Sequence, residues 1–247
     1  MKLKTALLSI ALLLGTAPAY AEVVYKVGST PTGVPFTFLD PKTNTIQGMM
    51  VDLIEEIGKD VGFKIDIQPM AFSTLVPSLS TGKIDIIAAA MSATPERAKV
   101  VDFTDDVYRY GEGLVVPASN TKDYTTFEDM KGMRIGAQIG TNYINVLKAS
   151  GVFPDVGAYE ALPDVLKDVA NNRIDAGVGD YPILAYSLSQ GRYPELRLVK
   201  SYKPSVMGPV NIAVKKGNTE LQEKINKSLA AMKTDGRLDK VLKNWGL

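Results

Sequence analysis

The residues with the clearest capacity for chemistry sit where apolar runs stop. The run Ile84 to Ala90 gives way to Met91-Ser92-Ala93-Thr94-Pro95-Glu96-Arg97. Thr94 is a good N-cap and Pro95 suits the first helical position, which places Arg97 in the first helical turn. A cation there opposes the helix dipole. Arg97 is therefore either a surface partner of Glu96, Asp102 or Asp105, or a bidentate grip for an anion. At a second point, Gln138-Ile139-Gly140-Thr141-Asn142, a glycine turn into a helix exposes backbone N–H groups that favour a carboxylate or phosphate. No Gly-Lys-Ser/Thr follows, so this is not a Walker loop. At a third, Val178-Gly179-Asp180 puts a carboxylate straight after a buried run, as an N-cap or as a ligand group. Together these points supply Arg97 and N–H donors for a carboxylate, and Asp180 for a cation. That is the charge pattern of a zwitterion. Phe72 offers either an apolar wall or ordinary core packing.

Composition narrows the chemistry further. The chain has 247 residues, 45% hydrophobic and 22% charged, with Lys+Arg 28 against Asp+Glu 27 and a net charge of +1. It contains no Cys and no His. Those two zeros exclude disulfides, thiolate zinc sites, Cys nucleophiles, imidazole bases and every Ser-His-Asp arrangement. No spacing suggests a metal held by carboxylates, so neither metal nor cofactor is expected. The balanced charge leaves no basic footprint for nucleic acid.

The elements that must position these residues follow from periodicity. Val23 to Gly28 reads as a strand, followed by a loop rich in Pro and Gly (Pro31, Gly33, Pro35, Pro41, Gly48). Val51, Leu53, Ile54, Ile57 and Val61 fall at helical spacing, stopped by Gly62. Phe63, Ile65 and Ile67 alternate as a strand, and Leu75, Val76 and Leu79 mark a short helix ended at Thr81-Gly82. Ile84 to Ala90 is expected to be a strand buried on both faces of a parallel sheet. The second half repeats the logic, with strands at Arg134 to Ala137 and Ala176 to Gly179 and helices at Asn142 to Ser150 and around Val165 to Val169. Two strand starts resemble each other, Gly82-Lys83-Ile84-Asp85-Ile86 and Asn172-Arg173-Ile174-Asp175-Ala176. A late strand, Val210 to Val214, and two helices, Leu221 to Met232 and Leu238 to Trp245, are expected to return to the first half. Two α/β lobes, crossed between near Tyr110 to Gly113 and near Lys203 to Gly208, make a hinge with a cleft.

The first 21 residues read as a secretory signal peptide: Lys2 and Lys4, an apolar stretch from Ala6 to Leu14, and Ala19-Tyr20-Ala21 as the cleavage motif. Removing those two lysines leaves 26 basic against 27 acidic residues, a net charge of −1. Without Cys the exported chain has no lipid anchor, so a periplasm and a two-membrane bacterium are the expected setting.

The ordered series Gly48-Met49-Met50-Val51-Asp52-Leu53, Leu79-Ser80-Thr81-Gly82-Lys83-Ile84-Asp85, Thr94-Pro95-Glu96-Arg97, Val101-Asp102-Phe103-Thr104, Asp129-Met130-Lys131-Gly132, Gly140-Thr141, Asn172-Arg173-Ile174-Asp175-Ala176 and Asp180 resembles a known family. This family is the periplasmic solute-binding proteins for polar amino acids that serve ABC importers. The resemblance covers nearly all of the chain after residue 21. It implies a two-lobed type II periplasmic-binding fold: lobe 1 from residues 22–110 and 209–247, lobe 2 from 111–208. It also implies a monomer that binds a small zwitterion and hands it to an inner-membrane permease. Arg97 would hold the α-carboxylate with Ser92 and the amides around Gly140, Thr141 and Asn142, next to Gln138. Asp180 and a carbonyl near Ala90 would hold the α-ammonium.

Two departures bear on the ligand side chain. Where the family often has a stacking aromatic in the first loop, this chain has Gly33, which is expected to leave space for a bulky or modified side chain. Where an acidic residue often reads a cationic side chain, it has Thr30, so a bias towards Lys, Arg or ornithine is not expected. Members that bind cystine show a similar Gly140-Thr141-Asn142-Tyr143. The alternative is an enzyme on the same fold, similar to periplasmic cyclohexadienyl dehydratases, in which Glu112 or Glu160 would be the proton donor. A third reading, a sensory domain, would leave the chain acting only as a diffusible carrier of ligand.

Overall fold

The computed structural model describes residues 23–247. The signal peptide expected at residues 1–21 lies outside the described residues. Strand β1 (Val23–Ser29) is followed by β2 (Thr32–Gly33), β3 (Thr37–Asp40) and β4 (Thr45–Gln47). Next come α1 (Met49–Val61), β5 (Phe63–Pro69), α2 (Phe72–Ser80), β6 (Ile86–Ser92), α3 (Pro95–Ala98) and β7 (Val101–Phe103). The long strand β8 (Tyr108–Pro117) carries the chain into β9 (Ile135–Gln138), α4 (Asn142–Ala149), β10 (Val156–Tyr159), α5 (Leu162–Ala170), β11 (Ala176–Asp180), α6 (Tyr181–Ser189) and β12 (Leu196–Leu198). Strand β13 (Met207–Lys215) returns, and α7 (Thr219–Asp235) and α8 (Arg237–Asn244) finish the chain.

The main sheet runs β10-β9-β11-β8-β13-β6-β1-β5, with β12 beside β8 and β7 beside β13. Strand β8 changes partner midway. Tyr108 to Gly111 pair with β13, whereas Glu112 to Val115 pair with β11. This is where the chain passes from one lobe to the other, and the segment before β13 passes back. The late strand and helices do return: β13 pairs with β6, and α7 and α8 pack on α1.

Alternation explains why β6 is buried on both sides. Ile86, Ala88 and Ala90 enter one apolar cluster with Val27, Leu53 and Ile212, while Ile87, Ala89 and Met91 enter another with Leu75, Leu79 and Val101. The sheet around it is mixed rather than parallel, because β6 has parallel β1 on one side and antiparallel β13 on the other. A strand returning from the other lobe arrives in the opposite direction, and hydropathy does not record direction. The Pro- and Gly-rich stretch after β1 is also more than a loop. It folds as the three-stranded antiparallel sheet β2-β3-β4.

The repeated strand starts perform the same local task in each lobe. Gly82 (φ 75°) and Asn172 (φ 56°) both take the left-handed conformation, which suits glycine and asparagine. The following acids then bind the neighbouring strand: Asp85 Oδ2 accepts the Lys26 N–H at 2.9 Å, and Asp175 Oδ2 accepts the Arg134 N–H at 2.8 Å. The backbone N–H groups of both acids return the bond to the carbonyls of Lys26 and Arg134 at 2.8 Å.

Candidate functional site

At the carboxyl end of β6 the backbone departs from a regular ladder. Met91 faces Asn211 and Ile87 faces Ala213, so Ala88 to Ala90 lie opposite Ile212 alone. Such a bulge re-aims backbone groups. Ala90 takes φ 52°, a conformation costing a non-glycine residue about 1–3 kcal/mol. Its carbonyl accepts the Tyr110 hydroxyl at 3.3 Å, and the Ala88 carbonyl accepts the Ser29 hydroxyl at 2.8 Å. Local strain thus turns a main-chain oxygen out of the sheet.

Thr94 caps α3, its Oγ1 accepting the Arg97 N–H at 3.3 Å. The Arg97 guanidinium donates to the Ser92 carbonyl and, at 2.8 Å, to the Gly140 carbonyl in the other lobe. Its Cζ lies 5.5 Å from the centre of the Phe72 ring, a cation–π distance. Among the described ion pairs Arg97 has no carboxylate partner, and Asp102, one of its alternatives, is held by Lys216 at 2.6 Å. Burial lowers the Arg97 pKa, opposed chiefly by the charge of Asp180, but a guanidinium stays protonated. The result is a half-buried cation whose hydrogen bonds end on neutral carbonyls, with the rest of its fork unused.

Asp180 ends β11 and occupies the N-cap position of α6, yet its side chain makes no capping bond. Instead Oδ1 accepts the Tyr143 hydroxyl at 2.7 Å. Burial pushes the Asp180 carboxyl up, while hydrogen bonding and the Arg97 charge pull it down. Burial, followed by the neighbouring Asp180 charge, pushes the Tyr110 and Tyr143 hydroxyls well above their ordinary range. Both phenols therefore remain donors.

A cavity of about 280 Å³ opens beside Arg97, lined also by Phe72, Ser73, Met91, Gly140, Thr141, Asn142 and Asn145. Asp180 does not line this cavity. The two lobes touch around it. Ser73 Oγ lies 3.4 Å from Glu160 Oε2, and a Cβ on Gly140 (φ 79°) would sit 2.8 Å from the Ser73 Cα. The side chains at this turn, as distinct from the backbone amides expected to hold an anion, are engaged locally. Thr141 Oγ1 donates to the Gln138 carbonyl at 2.6 Å, and Gln138 Nε2 donates to the Glu160 carbonyl at 3.0 Å.

The first loop corrects one expectation. Gly33 does not leave open space, because a Cβ there would lie 3.3 Å from Ile183 Cδ1 of the opposite lobe and 3.6 Å from Thr30 Oγ1. Thr30 is buried, its hydroxyl 2.7 Å from that of Thr37. Periodicity could not show this, since Ile183 comes from a helix about 150 residues further along the chain. The structure also adds Tyr110 and Tyr143, which no local sequence pattern assigns to the site. The available signal was a phenol in an otherwise apolar, buried setting, which calls for a hydrogen-bond partner. Among the described residues no acidic cluster could hold a metal, and no helix is long and apolar enough to cross a membrane.

The profile of a family described as bacterial extracellular solute-binding proteins, family 3, matches residues 25–247. The ABC transporter arginine-binding protein 1 of Escherichia coli (strain K12) is 31% identical over 241 residues, covering 96% of this chain and 98% of that protein. A probable histidine-binding protein of Campylobacter jejuni is 35% identical over 231 residues, covering 93% of this chain and 87% of that protein. Among solved structures, an ancestral arginine-binding protein bound to arginine matches with a TM-score of 0.84 at 33% identity, covering 92% of this chain and 100% of that one.

Proposed function

Because the chain belongs to the bacterial extracellular solute-binding proteins of family 3, we propose that it captures an amino acid or amino-acid derivative between its lobes and delivers it to an ABC importer. The observation that carries this reading is Arg97, a half-buried guanidinium without a carboxylate partner among the described ion pairs, set at the lobe boundary and opposed electrostatically by half-buried Asp180. An α-carboxylate supplies the counter-charge that Arg97 lacks. The α-ammonium is assigned to Asp180 and the strained Ala90 carbonyl, and Phe72 forms the apolar wall. Each charge-assisted bond contributes about 1.5–3 kcal/mol, more where closure excludes water. Since Arg97 bonds carbonyls on both sides of the cleft, the group that grips the ligand also joins the lobes.

The lobes are assigned as residues 22–110 with 209–247, and 111–208. Neutral, buried Thr30 supports a ligand other than Lys, Arg or ornithine, unlike the arginine named for two of the relatives. The proposed setting is the periplasm, supported by the charged and apolar pattern of the first 21 residues, with an inner-membrane permease as partner and the protein acting as a monomer. The dehydratase alternative loses its first candidate acid, because both Glu112 carboxylate oxygens accept hydrogen bonds in a buried setting. Isothermal titration against an amino-acid panel tests the reading. Submicromolar to micromolar binding of one or a few zwitterions is expected, and a panel in which none binds refutes it.

A further inference from the structure

Glu112 is a buried carboxylate that the proposed ligand chemistry leaves unused. It is 1% exposed and sits where β8 changes partner, with Gly111 facing Met207 and Glu112 facing Asp180. The second crossing runs beside it as irregular chain from Ser201 to Val206. Glu112 takes up donors from that segment. Its Oε1 accepts the Tyr202 hydroxyl at 2.8 Å and the Ser205 N–H, and its Oε2 accepts the Val206 N–H at 2.8 Å. Among the described ion pairs it has no cationic partner. The flanking glycines permit the close approach. A Cβ on Gly111 would lie 2.5 Å from Pro204 Cβ, and one on Gly113 would lie 3.3 Å from the Tyr181 Cα, immediately after Asp180.

We infer that Glu112 is a positioning residue, tying both hinge crossings to the strand end that carries Asp180, so that hinge angle and cation subsite move together. This rests on the transport reading above. If one crossing slid past the other, a buried carboxylate would lose donors with no water to replace them, which is costly. The crossings therefore rotate as one body. A solvated hinge of independent segments would carry no such constraint.

Glu112→Gln preserves shape but replaces one acceptor with an NH2 group facing a donor. The probe is whichever of L-arginine, L-histidine, L-glutamine and L-cystine the wild type binds best. The expected result is a Kd raised about tenfold, mainly through faster dissociation, with less ligand-induced compaction in solution X-ray scattering. Tyr202→Phe removes one donor and keeps the acid. It should shift both readouts in the same direction, and it serves as the test if Glu112→Gln does not fold. Trp245→Phe deletes the 2.8 Å bond to Asp52, away from both crossings. It should lower the melting temperature and leave affinity and compaction unchanged. Folded Glu112 or Tyr202 variants with wild-type Kd and compaction overturn the inference, as does an equal affinity loss in Trp245→Phe. Wild-type protein that binds none of these four, nor any other zwitterion of the amino-acid panel, would instead count against the transport reading.

Discussion

Replacing Arg97 with alanine separates binding from folding. An α-carboxylate held by the guanidinium fork accepts two charge-assisted hydrogen bonds of about 1.5–3 kcal/mol each. Their joint loss, about 3–6 kcal/mol, corresponds to roughly two to four decades in Kd. The folded state responds far less. The variant loses the bonds to the Ser92 and Gly140 carbonyls, but it also loses a half-buried cation without an ion-pair partner, and the two effects oppose each other. A net change within about 1 kcal/mol is expected, or about 2–4 °C in melting temperature. At a ligand concentration of 100 times the wild-type Kd, binding stabilises the wild type by about 2.7 kcal/mol. The same concentration stabilises the variant by at most about 0.4 kcal/mol. Calorimetry with and without ligand reads both quantities. Arg97→Lys keeps the charge but not the fork and should lose about tenfold or more. An Arg97→Ala protein that binds within threefold of wild type refutes the assignment.

Asp180→Asn should abolish binding by about a hundredfold or more while raising the melting temperature of the unliganded protein. Burial raises the folded-state pKa of Asp180 above its unfolded value, so the folded protein holds that proton more tightly. The stability associated with this group is fully present below the unfolded pKa and lost as pH rises through the folded one. Asparagine removes that loss, and melting curves from pH 4 to 8 should show a flatter slope than wild type. Gly140→Ala meets the Ser73 backbone and forces alanine into a left-handed conformation. It should weaken binding at least tenfold at a stability cost of about 1–2 kcal/mol; unchanged affinity would mean that closure does not bring these backbones together. Asp175→Asn should cost about 1–2 kcal/mol in urea unfolding. The Arg134 side chain holds the Asp175 carboxyl below its usual range, so that contribution is present above the unfolded pKa and fades as pH falls through the folded one.

How much could be read before the fold was known varies with the reach of each signal. Helix α1 is legible because its apolar spacing and Gly62 stop lie within one short segment, and Gly62 does adopt the left-handed cap. The paired Gly82-Lys83-Ile84-Asp85 and Asn172-Arg173-Ile174-Asp175 motifs are legible for the same reason. The turn and the capping acid are adjacent in the chain, although the strands they hold lie 59 and 41 residues away. Arg97 is legible because Thr94-Pro95 marks a helix start just before it, although the helix is a single turn, Pro95–Ala98, too short to set a dipole against the cation.

Amino-acid order alone therefore fixed the kinds of groups present: one guanidinium and one carboxylate at strand ends, with no thiol or imidazole to do other chemistry. Tertiary structure decided what those groups face. It spent the Asp180 carboxylate on Tyr143 rather than on a helix cap, filled the space beside Gly33 with Ile183, and turned Glu112 from a candidate acid into a clasp for the second crossing. The physical reason is that desolvation and hydrogen-bond satisfaction depend on neighbours in space. Each of these contacts joins segments from 37 to about 150 residues apart, a range over which periodicity and capping rules carry no information.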